Sequence, residues 1–115
     1  MTAPMAKSLS VGIIGAGPGG LALGIFLRKA GFEDFTIFDR EDGVGGTWRI
    51  NTYPGLACDV RSHLYSYSFD LNPGWTRMWS GQPEILDYFE DCARRHQLGP
   101  HLMLDTEIVS AVWEP

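Results

Sequence analysis

Several things are scarce in this sequence, and each scarcity closes off a class of function. Cysteine is nearly missing: Cys58 and Cys92 are the only two in 115 residues, they form no C-x-x-C pair, and a disulfide framework is excluded. Metal-ligand spacing is missing too, because His63, His96 and His101 fall at no interval from the cysteines that a zinc site uses. Each histidine reads as a surface or helix-end residue. Basic charge is thin: nine Lys and Arg against fourteen Asp and Glu leave a net charge of −5, and the nine are scattered rather than clustered as phosphate binding demands. No apolar run approaches the roughly 20 residues of a membrane-spanning helix. The opening "MTAPMAKSLS" also lacks the apolar middle of a secretory signal. The expectation is a cytoplasmic protein with neither nucleic-acid nor membrane partners.

What is present is the balance of a folded domain. Hydrophobic residues make up 44% and charged residues 20%, far from a disordered or collagen-like composition. A chain of this length fits one domain and buries on the order of 65% of its unfolded surface.

Chemistry first shows in the opening forty residues. "LSVGII" over 9–14 is short, apolar and β-branched, which suits a strand buried on both faces of a parallel sheet. "GAGPGG" follows at once, then a run of helix formers including Leu21, Leu23, Ile25 and Leu27, with Gly31 placed to close the helix. "FTIFD" supplies a second strand. Gly15, Gly17 and Gly20 satisfy G-x-G-x-x-G: the first permits the tight turn, the second lets a pyrophosphate approach the backbone, and the third lets the helix pack on the sheet. Gly24 extends that small-residue face by one turn. The uncapped N–H groups and dipole of the helix start favour a diphosphate. Asp39 ends the second strand about 20 residues on, where a carboxylate accepts hydrogen bonds from an adenosine ribose and repels a 2′-phosphate. The pattern predicts an α/β, Rossmann-like β-α-β fold with a parallel sheet, binding FAD or NAD in preference to NADP at this turn. Arg40 beside Asp39 reads as a solvated residue.

The stretch "VGGTWRINTYPGLACD" over 44–59 separates the two dinucleotides. A plain NAD domain passes quickly into another crossover helix, whereas residues 40–82 read as mostly irregular chain rich in Gly, Pro and aromatics. Gly45 and Gly46 let main chain come close to a planar ring, Thr47 offers a hydroxyl and an N–H, and Trp48 offers an indole. Pro54 and Gly55 turn the chain back, bringing Asp59 toward the reactive end of the cofactor. A core aromatic for Trp48 and a turn carboxylate for Asp59 are the competing readings.

With these blocks in view, the sequence resembles the class B flavin-dependent monooxygenases, which include Baeyer–Villiger and flavin-containing monooxygenases. The likeness runs from "GIIGAGPGGLALG" through "IFDREDGVGGTWRINTYPGLACDVRSHLYSYSF" to "GQPEILDYFEDCARRHQL" and "TEIVSAVW", and G-G-T-W with Asn51, Tyr53-Pro54-Gly55 and Asp59 favours the Baeyer–Villiger branch. The resemblance implies that Gly15, Gly17, Pro18, Gly19 and Gly20 hold the FAD pyrophosphate and Asp39 its ribose. It places Gly46, Thr47 and Trp48 along the flavin, Asp59 and Tyr65 beside it, and Ile108 against the adenine. Asp59, the one candidate catalytic residue, would pair with an arginine from a later part of the enzyme. The family more often has Glu at the ribose position.

The implied activity is that of an NADPH-dependent flavoprotein monooxygenase inserting oxygen beside a ketone through a flavin C4a-peroxide, with O₂ and a small ketone or heteroatom compound as substrates. An N- or S-oxidising flavoprotein and a non-catalytic or truncated nucleotide-binding module are the alternatives. Only one G-x-G-x-x-G occurs, so the NADPH site is expected mostly outside this chain. Residues 1–8 are read as a tail and 9–115 as the N-terminal part of an FAD-binding domain, inactive by itself. Tyr65, Tyr67 and Phe69 alternate as a strand would, with Tyr67 and Phe69 assigned to the core. Trp75 and Trp79 are expected to cover apolar surface. Residues 84–98 are predicted as an amphipathic helix bracketed by Pro83 and Gly99, burying Cys92 as an inert thiol, and "LMLDTEIVSAVW" as two short strands.

Overall fold

The computed structural model describes residues 9–115; the expected tail over 1–8 lies outside the described residues. β1 (Val11–Ile14) leads through the glycine turn into α1 (Pro18–Lys29), and β2 (Phe35–Phe38) pairs parallel to β1 with Val11 opposite Phe35 and Ile14 opposite Phe38. A short helix α2 (Thr47–Ile50) and one 3₁₀ turn (Ser62–Leu64) interrupt the long loop before α3 (Gln82–Arg95). β3 (Leu102–Met103) then adds parallel to β2, giving a three-stranded sheet in the order β1-β2-β3. Among the described residues no helix is long and apolar enough to cross a membrane.

The strands are covered on one face, not two. Ile13, Phe35 and Ile37 are buried beneath α1, whereas Ile14 stays 67% exposed. Parallel strands alternate their side chains across the sheet, and no described element lies over the second face. α1 seats closely because Gly24 faces the sheet, where an added Cβ would stand 2.9 Å from Ile37 Cδ1.

α3 supplies the other wall of the core. Ile85, Tyr88, Phe89, Cys92 and Ala93 recur at three- and four-residue intervals and are all buried, the stripe that an amphipathic helix turns inward. The helix runs over 82–95 rather than 84–98. It begins earlier because Pro83, lacking an N–H, sits within the first turn where no donor is needed. It ends earlier because Gln97 adopts a left-handed conformation (φ 57°) and the Leu98 N–H donates to the Ala93 carbonyl at 2.9 Å. Leu98 is then fully buried, the apolar contact that accompanies this kind of stop.

Two further expectations are corrected. Tyr65, Tyr67 and Phe69 form no strand; residues 67–70 make a tight turn in which the Asp70 N–H donates to the Tyr67 carbonyl at 3.0 Å. Only Leu102–Met103 of the last segment is a strand, and Val109, Val112 and Trp113 are 84%, 83% and 88% exposed. A second strand needs a neighbour for its N–H and C=O groups, and no described strand flanks residues 107–113. Trp75 lies half-buried against Tyr88, and Trp79 is exposed.

The long loop is clamped rather than free. Ala57 pairs with Gly81, the Cys58 N–H donates to Ser80 O at 2.9 Å, and the buried hydroxyls of Ser62 and Ser80 bond to each other. Its far end is held at Asp70, whose carboxylate accepts from Arg95 Nη1 at 2.6 Å and faces His96 Nε2 at 2.8 Å. Burial pushes the Asp70 carboxyl up, but the hydrogen bonds of His96 and Arg95 and the Arg95 charge outweigh it and hold the group below its ordinary value. Burial pushes the Cys92 thiol up, which keeps it protonated.

Two outcomes follow from these contacts. Replacing Gln97 with Gly relieves the left-handed strain of a residue with a Cβ and raises stability by about 0.5–1 kcal/mol in urea unfolding. Asp70→Asn lowers stability at neutral pH by about 1–2 kcal/mol. Because the folded carboxyl titrates below the unfolded one, this contribution is complete above the ordinary carboxylate value and is lost as pH falls through the lowered one. The gap between wild type and Asp70→Asn in denaturant midpoint therefore closes in acid.

Candidate nucleotide site

The glycine turn is built from backbone geometry that side chains would block. Gly15 has φ +103°, in the left-handed region, and its N–H donates to Phe38 O at 2.7 Å. A Cβ on Gly20 would lie 1.8 Å from the Gly15 carbonyl oxygen. The third glycine thus lets the turn close on the helix, and it also lets α1 approach Ile13 of β1, 3.4 Å from such a Cβ, a close packing on the sheet that Gly24 continues. Gly17 caps α1 without any side-chain hydrogen bond, and Pro18 takes the first helical position. The first bond inside the helix is Leu21 N–H to Gly17 O at 3.0 Å, so the Gly19 and Gly20 N–H groups precede it without an intrahelical partner. No acidic residue stands in the first turn, and Arg28 and Lys29 occupy the last. The positive end of the dipole is left facing outward.

Asp39 locks this turn to the sheet. Its Oδ2 accepts from the Ala16 N–H at 2.7 Å and its Oδ1 from the Glu41 N–H at 2.8 Å. Each carboxylate oxygen has two lone pairs, so one acceptor site on each remains. Beside it lies a cavity of about 310 Å³ that brings together Gly15, Asp39 and Ile108 with Ile50, Thr106 and Glu107. Arg40 also lines it, with a side chain 65% exposed and Nε 3.7 Å from Glu41.

The second glycine pair packs against the first. The Gly45 N–H donates to Ala16 O at 2.9 Å, and a Cβ on Gly46 would stand 2.9 Å from Gly17 Cα. Gly45 (φ +125°) and Gly46 (φ +57°) both need left-handed backbone. Thr47 is exposed on α2. Trp48 is only 7% exposed and belongs to the core cluster, its indole N–H donating to Tyr65 Oη at 2.8 Å. Its indole face is covered by protein. Arg49 fixes α2 from outside through Val44 O at 2.7 Å and ion pairs with Asp42 and Glu90.

Tyr65 is half-buried and lines a second cavity of about 270 Å³ with Pro18, Leu64, Ser66, Tyr67 and Phe89. Asp59 is exposed in the bend after Cys58 and lines neither cavity. The structure therefore gathers Gly15, Gly17, Pro18, Gly19, Gly20, Asp39, Gly46 and Ile108 around the turn, sets Tyr65 beside Pro18 and bonds Trp48 to Tyr65, and does not bring Asp59 to either cavity. Sequence reasoning missed Thr106 and Glu107, which no motif marks, and the hydroxyl of Tyr67, which donates to Pro18 O.

The fold that carries this turn is shared with known proteins. The family model described as NAD(P)-binding Rossmann-like domain matches residues 13–92. A Baeyer-Villiger monooxygenase of Pseudomonas aeruginosa is 50% identical over 113 residues, covering 98% of this chain and 21% of the relative. An FAD-binding monooxygenase of Botryotinia fuckeliana is 47% identical over 105 residues, covering 89% of this chain and 20% of the relative. A cyclohexanone-bound cyclohexanone monooxygenase superposes with a TM-score of 0.86 at 39% identity, over 91% of this chain and 21% of that one. The chain spans about a fifth of the length of the curated relatives it matches. By the match over residues 13–92, it belongs to the family of NAD(P)-binding Rossmann-like domains, in the form that it shares with Baeyer–Villiger and other FAD-binding monooxygenases.

Proposed function

We propose that the glycine turn holds the diphosphate of FAD and that this chain forms the FAD-binding part, residues 9–115, of an NADPH-dependent monooxygenase of Baeyer–Villiger type. The observation that carries the proposal is the backbone contact between Gly17 and Gly46. It sets the G-G-T-W segment against the dinucleotide turn, an arrangement a dinucleotide domain does not need for its phosphates alone.

The residues fit the group. The Gly19 and Gly20 N–H groups meet the diphosphate, and the remaining acceptor sites of Asp39 suit the ribose hydroxyls. A negative carboxylate there disfavours a 2′-phosphate, so the NADPH of the reaction is assigned to another part of the enzyme. Ile108 and the cavity around it take the adenine end. Gly46 and Thr47 present main chain to the flavin, while Trp48 supports them from the core and Tyr65 and Asp59 stand alongside. Bound FAD supplies hydride acceptance from NADPH and activation of O₂ for insertion beside a ketone; the protein orients it and excludes water. Support for the ketone comes from relatives that are Baeyer-Villiger and cyclohexanone monooxygenases. The reading places the protein in the cytoplasm.

The test is direct. Purified protein is expected to carry or take up one FAD, seen as flavin absorption bands, and Gly46→Ala to weaken uptake about tenfold or more through overpacking of roughly 1–3 kcal/mol. A folded, colourless protein that refuses added FAD overturns the proposal. Turnover of ketones rather than amines by the longer enzyme that contains this chain decides the branch.

A further inference from the structure

The aromatic turn after the 3₁₀ helix reaches back to the nucleotide site in a way that neither its packing nor the glycine motif explains. Tyr67 donates its hydroxyl hydrogen to the carbonyl oxygen of Pro18, the first residue of α1. That carbonyl belongs to the same planar peptide unit as the Gly19 N–H, and Gly19 is the first residue of the helix with a free N–H to offer, because Pro18 has none. Fixing the oxygen end of this unit therefore fixes the direction of its hydrogen end. A hydrogen bond accepted at the oxygen also polarises the amide and makes its N–H a stronger donor.

Tyr67 is itself held on every side. Its ring stacks on Phe69 at 4.8 Å and meets Phe89 edge-on at 5.6 Å. Its N–H donates to Tyr88 Oη at 2.8 Å, and that hydroxyl donates onward to Asp70 O at 2.7 Å. Burial pushes the Tyr67 phenol above its ordinary value, so the hydroxyl remains a donor throughout the neutral range.

We propose that Tyr67 is a positioning residue for the diphosphate, aiming and strengthening the Gly19 N–H through the carbonyl of Pro18. The proposal rests on the reading of the glycine turn as a diphosphate site. It assigns the aromatic turn a part in binding that does not require it to touch the ligand.

The experiment measures ADP affinity by calorimetry and the Gly19 amide proton by NMR in wild type, Tyr67→Phe and Trp75→Phe. ADP serves as the probe because it contains the diphosphate and ribose without the flavin. Trp75→Phe removes an indole that packs on Tyr88 and donates to Ser66 Oγ, in the same aromatic cluster but without bonding Tyr67 or Pro18, and so reports general loosening. Expected for Tyr67→Phe are a three- to tenfold rise in the ADP dissociation constant and an upfield shift of the Gly19 amide proton, with Trp75→Phe lowering the unfolding midpoint but leaving both nearly as in wild type. Unchanged ADP affinity and an unmoved Gly19 amide in Tyr67→Phe, or an equal loss in Trp75→Phe, overturn the role of Tyr67 alone. Failure of the wild type to bind ADP overturns the reading of the turn, and the role of Tyr67 with it.

Discussion

Between Gly17 and Gly46 there is no room for a side chain on the second of the two. A Cβ built on either residue falls within 3.5 Å of the other's α-carbon, so two loops from distant parts of the chain meet backbone to backbone. The contact sits at the centre of the site: Gly45 donates to Ala16, Ala16 donates to Asp39, and Asp39 closes the end of β2. Everything that the site offers a ligand is arranged around this contact. With a side chain at Gly46, the second loop would have to stand off, and the α2 helix that starts at Thr47 would move with it, whereas a Cβ on Gly17 would just reach ordinary contact.

Rigidity reaches this centre from α3. The helix buries an aromatic and aliphatic stripe, and from it Tyr88 grips the 67–70 turn while Arg95 and His96 hold Asp70. Glu90 pairs with Arg49 and so restrains α2 from the opposite side. Gln82, at the start of the same helix, donates to the Trp48 carbonyl. A helix that contributes nothing to the cavity around Asp39 thus braces both loops that build the site. Binding groups set on a braced backbone lose less freedom when a ligand arrives.

How much of this was legible depended on how local each signal was. The β1-turn-α1-β2 unit announces itself in a single run of forty residues, where apolar period, glycine spacing and the carboxylate at position 39 agree. The Gly31 stop of α1 was likewise readable, because its φ of +89° is a local demand. The end of α3 was not: Gln97 takes a conformation that glycine usually supplies, and the burial of Leu98 and the bond from its N–H to the Ala93 carbonyl offset the strain. Alternation at residues 65, 67 and 69 has a strand's period but no neighbouring strand, and one-sided burial of β1 depends on what covers the sheet rather than on "VGII". The reach of Tyr67 to Pro18 joins residues 49 apart in the sequence and leaves no trace in either motif. Trp48 was named from the sequence, yet its burial and its bond to Tyr65 depend on residues far along the chain.

The use of Asp39 ties nucleotide preference to folding. Its two oxygens already accept the N–H groups of Ala16 and Glu41, so the carboxylate that is proposed to meet the ribose also holds the glycine turn against the strand. Exchanging it for a neutral or basic residue to admit a 2′-phosphate would remove repulsion and at the same moment leave the Ala16 N–H without its charged acceptor, a loss on the order of 1–3 kcal/mol. The turn would then open at the point where Gly15 must stay left-handed and Gly45 must reach Ala16. Arg40 stands ready on the cavity wall, but a cation there does not replace the acceptor that the backbone requires. A change of nucleotide at this site therefore needs a replacement that still gives the Ala16 N–H an acceptor, or a second substitution that does, and the acid at the end of β2 is held in place by the fold whatever it binds.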